Sequence, residues 1–198
     1  MSCPDCSALS CIKGGPLPAD CTTELCATSA RENVIDLYLR SEVRTTMTAA
    51  SKVAHAGVVG KWPRLKEVIT FAHETGVERI GIASCSTYIK EVPMLAQILR
   101  DEGFEVVGAM CKMGSIRKSD VDLLPDPSQK DSVLCNPLMQ AEALNNAGTD
   151  MNIVVGLCVG HDMLSTKNSE ALCTTLVVRD QSLGGPKPFR EALEGYAQ

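Results

Sequence analysis

"NIVVGLCVGHD", residues 152 to 162, packs a run of buried-type residues, Ile153 to Leu157 with one glycine inside, against Cys158. Gly160, His161 and Asp162 follow at once. A short apolar, β-branched run that stops at turn residues is the pattern of a strand buried on both faces of a parallel sheet. Polar chemistry then begins where the strand stops. Taken alone, the stretch leaves three roles open for Cys158: a core residue, a nucleophile or one ligand of a metal site.

The same rhythm recurs on either side. "RIGIASC" (79–85) and "EVVGAMC" (105–111) read as two earlier strands, and "CTTLVVRD" (173–180) as a fourth. "TYIKEVPMLAQILRDEG" (87–103) reads as a helix stopped by Gly103, with Pro93 in its first turns or at a kink. "NPLMQAEALNNAG" (136–148) reads as a helix capped by Asn136 with Pro137 at its first position. "HDMLSTKNSE" is a short helix or turn, and "KPFREALEGY" a last helix. Residues 112–134, with "LLPDPSQKD", read as a long polar loop. Upstream, residues 28–56 place Val34, Ile35, Leu37, Tyr38, Val43, Met47 and Val53 near helical spacing and predict one long helix. "GVVGKWP" ends it; Pro63 opens a further helix that Gly76 closes.

Strands alternating with helices predict an α/β fold: a doubly wound, Rossmann- or flavodoxin-like, mostly parallel sheet of about four strands. The expected organisation is a cysteine-rich segment over residues 1–27 and an α/β domain over 28–198. Right-handed crossovers fix which end of such a sheet is which, and sites form outside the carboxyl ends of the strands where strand order reverses.

That rule gathers cysteines no short motif would connect. Cys85, Cys111 and Cys158 each end a predicted strand, and Cys135 immediately precedes the helix after the second one. All four should reach one edge of the sheet. Cys173 starts a strand, falls at the opposite edge and reads as packing. Clustered thiolates bind zinc or iron–sulfur clusters. The helix N-terminus after Cys135 favours its ligating form. Gly114, Gly156 and Gly160 would let backbone N–H groups approach the sulfurs, and His161 is a further ligand or a supporting donor.

A second constellation lies in the first 27 residues. "CPDC" contributes Cys3 and Cys6, "CTTELC" contributes Cys21 and Cys26, and Cys11 stands between them. Such pairs suit a closed four-sulfur site. Zinc would take Cys3, Cys6, Cys21 and Cys26, whereas a cluster could use Cys11 instead.

Composition bounds the setting. The chain has 198 residues, ten of them cysteine, a formal net charge of −5 and 44% hydrophobic content. No basic block offers a grip on nucleic acid or anionic lipid. Aromatic residues are 4% of the chain, too few for a base- or sugar-stacking platform. "MSCPDCSALSC" lacks the basic start and apolar stretch of an export signal, and no apolar run approaches the ~20 residues that span a bilayer. A cytoplasmic protein is expected, in whose reducing surroundings so many cysteines point to metal or redox chemistry rather than disulfides. No phosphate-binding glycine loop is present.

Residues 135–180, "CNPLMQAEALNNAGTDMNIVVGLCVGHDMLSTKNSEALCTTLVVRD", with the N-terminal C-x2-C-x4-C start and the "GIASC" strand, resemble a cysteine-rich family of unknown function from anaerobic bacteria and archaea, whose members are labelled metal-binding proteins. The resemblance covers nearly the whole chain. It implies metal-site roles for Cys3, Cys6, Cys11, Cys85, Cys111, Cys135, Cys158 and His161, and it tilts the metal from zinc toward one or two iron–sulfur clusters of the 4Fe–4S kind.

Three functions compete at this point. The first is an iron–sulfur protein with a redox or sulfur-related role, working with a redox partner or a small sulfur-containing substrate. The second is a zinc or soft-metal sensor or chaperone without catalysis. The third is a metal-free enzyme with Cys158 as nucleophile, His161 as base and Asp162 as orienting acid. Four positions are too few to assemble the usual triad, and the third reading leaves Cys85, Cys111 and Cys135 without a purpose.

Overall fold

The computed structural model describes residues 3–26, 28–56, 61–123 and 130–196. It divides into two compact units, Met1–Ala54 and His55–Gln198.

In the first unit a 3-10 turn at Cys3–Asp5, a single helical turn α1 (Ser10–Lys13) and a 3-10 turn at Thr22–Leu25 carry the cysteines. Two helices follow, α2 (Thr28–Leu39) and α3 (Ser41–Ala56), the last residues of α3 belonging to the second unit. The single long helix expected over 28–56 is therefore broken. At Arg40 the N–H turns back to the Leu37 carbonyl at 3.2 Å. Val34, Ile35, Leu37 and Tyr38 are exposed rather than a buried stripe, and burial begins only at Ala49 and Val53.

The second unit is the α/β domain. Its helix α4 (Arg64–Thr75) starts after Pro63 and is closed by Gly76 in the left-handed conformation, φ 72°, as the sequence implies. Strands β1 (Arg79–Ser84), β2 (Glu105–Met110), β3 (Met151–Val155) and β4 (Leu172–Val177) form one sheet in the order β2-β1-β3-β4. Every pairing is parallel. Helix α5 (Val92–Asp101) links β1 to β2, α6 (Pro137–Asn146) leads from β2 to β3, α7 (Val159–Lys167) links β3 to β4, and α8 (Lys187–Tyr196) follows. The chain steps outward from β1 to β2 and then returns past β1 to β3. That reversal makes the sheet doubly wound and opens a crevice between the carboxyl ends of β1 and β3.

Burial follows from position. The central strands β1 and β3 are buried almost throughout, while the flanking β2 and β4 are half covered. Ile80, Ile82, Ile153 and Val155 meet Leu65, Ile69 and Ala72 of α4, Leu95 and Leu99 of α5, and Leu144 of α6 in one core. Cys85 and Cys111 belong to its upper layer. Asn136 caps α6 as expected, its Oδ1 accepting the Met139 N–H at 3.1 Å. The loop after β2 carries short 3-10 turns at Met113–Ser115 and Lys118–Val121 and an isolated bridge between Arg117 and Val133. The part of "GVVGKWP" at 57–60 and the loop residues 124–129 lie outside the described residues. Among the described residues no helix is long and apolar enough to cross a membrane.

Candidate functional site

β1 and β2 run side by side with Ser84 opposite Met110, so the next residues, Cys85 and Cys111, leave the sheet as neighbours. The ladder continues one step past the strands: the Cys85 N–H donates to the Val155 carbonyl at 3.0 Å and the Cys111 N–H to the Ser84 carbonyl at 2.9 Å. Both cysteines are thus held by backbone bonds that belong to the sheet.

Cys135 reaches them through its own connection. The loop that leaves Cys111 comes back to it, the Asn136 N–H donating to the Cys111 carbonyl at 2.8 Å. Lys112 clasps the same loop, its Nζ donating to the Val133 carbonyl at 2.6 Å. Cys135 is therefore tied beside Cys111 at the residue before the α6 cap.

Cys158 does not end a strand. β3 stops at Val155, Gly156 turns the chain, and Cys158 stands at the N-cap of α7, which begins at Val159. The turn needs that glycine. Its φ is 65°, and a Cβ there would lie 1.9 Å from Cε2 of the buried Tyr88.

One side chain joins these elements. Arg179, just beyond β4, donates from Nη1 to Cys158 Sγ at 2.6 Å, and the same nitrogen lies 3.9 Å from Cys85 Sγ. Around Cys111, the Ser86 N–H donates to Sγ at 3.3 Å. Cys85 Sγ and Thr87 Oγ1 are 3.4 Å apart.

The electrostatics show how closely these groups sense one another. Burial pushes the Cys85 thiol up, but hydrogen bonds from the Thr87 side chain and backbone, the Arg179 charge and a hydrogen bond with Cys111 outweigh it and hold Cys85 below the usual thiol range. Burial pushes the Cys111 thiol up, Cys135 and Cys85 add to it, and the bonds from Ser86 only partly offset the rise. Arg179 is raised above its ordinary value, chiefly by Cys158 and further by Cys85 and Cys135. Cys85, Cys111, Cys135 and Cys158 therefore share one neighbourhood at the carboxyl edge, with Arg179 among them.

His161 faces the same region from the first turn of α7. Burial lowers its pKa, and the charges of Lys112 and Arg179 lower it further, so the neutral imidazole is favoured. Asp162 does not orient it. That carboxylate accepts the hydroxyls of Thr175 at 3.2 Å and Thr166 at 3.3 Å. Among the described residues the hydrogen bond on the Cys158 sulfur comes from Arg179 rather than His161.

Gly156 and Gly114 are needed for the turns and packing around the site. The Gly156 N–H is already given to the Val177 carbonyl at 2.8 Å. Gly114, at φ 79°, makes room for Met139, whose Sδ would lie 2.5 Å from a Cβ there. Gly160 sits exposed in the first turn of α7 with open space around its Cα. Cys173 is half-buried at the start of β4, at the opposite edge of the sheet, its Sγ 3.6 Å from the Ala171 carbonyl.

Three contributors escape the sequence reading. Arg179 lies inside "CTTLVVRD", which reads as strand, yet the strand-end rule that gathers the cysteines also applies to a charge at the end of β4. Lys112 follows Cys111 directly and carries the same signal. Gln140 carried none. Fully buried on α6, it donates from Nε2 to the Ser84 carbonyl at 3.1 Å and the Ala109 carbonyl at 2.7 Å, while its Oε1 has no partner among the described residues. It thereby clamps the ends of β1 and β2 from which Cys85 and Cys111 emerge.

In the first unit, Cys3, Cys6, Cys11 and Cys21 line one hollow together with Leu9, Ile12, Pro18 and Thr22. Cys26 is exposed and does not line it. All ten cysteines are free thiols. Among the described residues, no three His, Cys, Asp or Glu side chains close around a single point as the ligands of one metal ion do.

Comparison with known proteins shows a family of unknown function and adds no chemistry. The chain is 35% identical over 183 residues to an uncharacterized protein of Methanocaldococcus jannaschii, covering 92% of this chain and 89% of that relative. No solved structure matches it at a significant level. A family described as "Protein of unknown function (DUF1847)" matches residues 21–176. Neither description names a metal or an activity, so the metal-binding label goes no further than the sequence expectation. With most of its length matched on both counts, the chain belongs to the DUF1847 family of proteins of unknown function.

Proposed function

We propose that this protein binds an iron–sulfur cluster at the carboxyl edge of its sheet, with Cys85, Cys111, Cys135 and Cys158 as the thiolate donors and His161 in support. The observation that carries this reading is the meeting of four free thiols from three separate connections at the β1/β3 crevice, with Arg179 donating to one of them. The donor set fits. Soft thiolates hold iron–sulfur clusters, and several thiolates in a half-buried site need cationic and N–H partners, which Arg179 and the Ser86 amide supply.

Donor chemistry alone would admit a single zinc ion or a cluster. A tetrahedral zinc site needs every sulfur about 2.3 Å from one point. These thiols are set by strand ends, a helix cap and backbone bonds to the sheet, and among the described residues no three of them close around one point. A cluster, with several irons and sulfides between the thiolates, would ask for wider-set donors than one ion does. When bound, the cluster would supply electron transfer, or Lewis acidity at an iron left open for a small sulfur-containing substrate. The chain's own part is to hold the thiolates, compensate their charge through Arg179, and keep His161 neutral beside them.

Anaerobic purification tests the proposal. The expected product is coloured, with iron and acid-labile sulfide in equal amounts. Zinc alone in the anaerobic product, with no sulfide after reconstitution, overturns it in favour of a zinc-binding protein.

A further inference from the structure

The hollow in the first unit is built on a different principle from the crevice. Residues 3–26 fold into three short turns, Cys3–Asp5, Ser10–Lys13 and Thr22–Leu25, and none of these contributes a buried residue among those described. Ile12, the bulkiest aliphatic of α1, is 81% exposed. A segment with no apolar core cannot offset the entropy of its ordering by burial. Local backbone bonds shape its turns: the Cys6 N–H on the Cys3 carbonyl at 3.2 Å, the Cys21 N–H on the Pro18 carbonyl at 2.9 Å, and Gly14 at φ 69° ending α1. What the turns have in common is sulfur, with four of the five N-terminal cysteines on one hollow.

We propose that Cys3, Cys6, Cys11 and Cys21 form a tetrathiolate zinc site that staples this segment, and that Cys26 is left out. The ligand set differs from the one the cysteine pairs alone would choose, because Cys11 of α1 lines the hollow whereas Cys26, beyond the Thr22–Leu25 turn, does not. The thiols do not yet meet at one point. Unlike the crevice cysteines, however, they ride on turns that contribute no buried residue among those described, and zinc would draw them together. Each thiol that ligates gives up its proton, and the metal–sulfur bonds take the place of the missing core.

The test uses the full chain, prepared without metal under reducing conditions and then given zinc alone. Alkylation followed by peptide mapping reads each cysteine separately. Cys3, Cys6 and Cys11 fall on the tryptic peptide ending at Lys13, and fragmentation separates Cys21 from Cys26 on the next one. Zinc is expected to slow alkylation of Cys3, Cys6, Cys11 and Cys21 by about tenfold or more, while Cys26 reacts at its metal-free rate. Cys11→Ser should release the other three together, and Cys26→Ser should leave all four protected. Protection of Cys26, or none at Cys11, overturns the assignment. The crevice cysteines are read on their own peptides, so the result stands whether or not a cluster binds there.

Discussion

Gly156 shows how a single position sets the crevice. It combines φ 65° with a Cα pressed against the Tyr88 ring, and Tyr88 in turn packs edge-on against Phe189 with ring centroids 6.2 Å apart. Gly156→Ala must move that ring and strain the turn that delivers Cys158, so it should cost about 2–4 kcal/mol in urea unfolding. Gly160→Ala places a methyl in open space within a helix and should instead be neutral or stabilising by up to about 1 kcal/mol. Equal effects of the two substitutions would contradict this account of the turn. Cys85 and Cys111 could be placed at one edge from the sequence because β-branched runs ending in cysteine reveal that edge, and Cys135 because it precedes a helix cap, whereas Cys158 stands at a helix cap and not at a strand's end. Arg179 was hidden because a charge at a strand's end looks like the strand's own solvated tip until its partner is known.

Among the elements, those with local stop signals were the ones the sequence placed well. Asn136 and Pro137 start α6 and Gly76 ends α4 through side-chain and backbone geometry that acts within a few residues. The break at Arg40 has no glycine or proline to announce it, so residues 28–56 read as continuous. The sequence starts α7 late because Cys158, its cap, reads as the end of β3; a strand and a helix cap share extended backbone, here φ −66° and ψ 152°. Gln140 belongs to this level too, since it joins α6 to two strands at once. Gln140→Leu removes both bonds to the Ser84 and Ala109 carbonyls and should destabilise the protein by about 1–3 kcal/mol. The loss should also lower metal content, because Cys85 and Cys111 depend on those strand ends. Full metal content alongside lost stability would show that the clamp serves the core alone.

The α/β unit is closed by its last helix. Glu91, only 1% exposed, is held by Arg190 of α8 through Nε at 2.8 Å and through a second contact from Nη2. Leu193 is buried on the same helix. Arg190→Ala leaves a buried carboxylate without its cation. Because Arg190 itself is half exposed, the cost should fall at about 2–3 kcal/mol, below that of a fully enclosed pair. Glu91→Gln combined with Arg190→Ala should recover part of it, and a double variant no more stable than Arg190→Ala would contradict this view of α8. Strand order could not be read from the sequence, since the number and direction of strands follow from local pattern while the order β2-β1-β3-β4 depends on packing across the sheet. That order puts the crevice between β1 and β3, and with it the four thiols. Serine substitution at each of Cys85, Cys111, Cys135 and Cys158, with Cys173→Ser as the control from the opposite edge, measures their role through iron and acid-labile sulfide after identical anaerobic reconstitution. The account predicts that each of the four lowers both together while Cys173→Ser retains them in full; iron and sulfide undiminished in Cys158→Ser would contradict it.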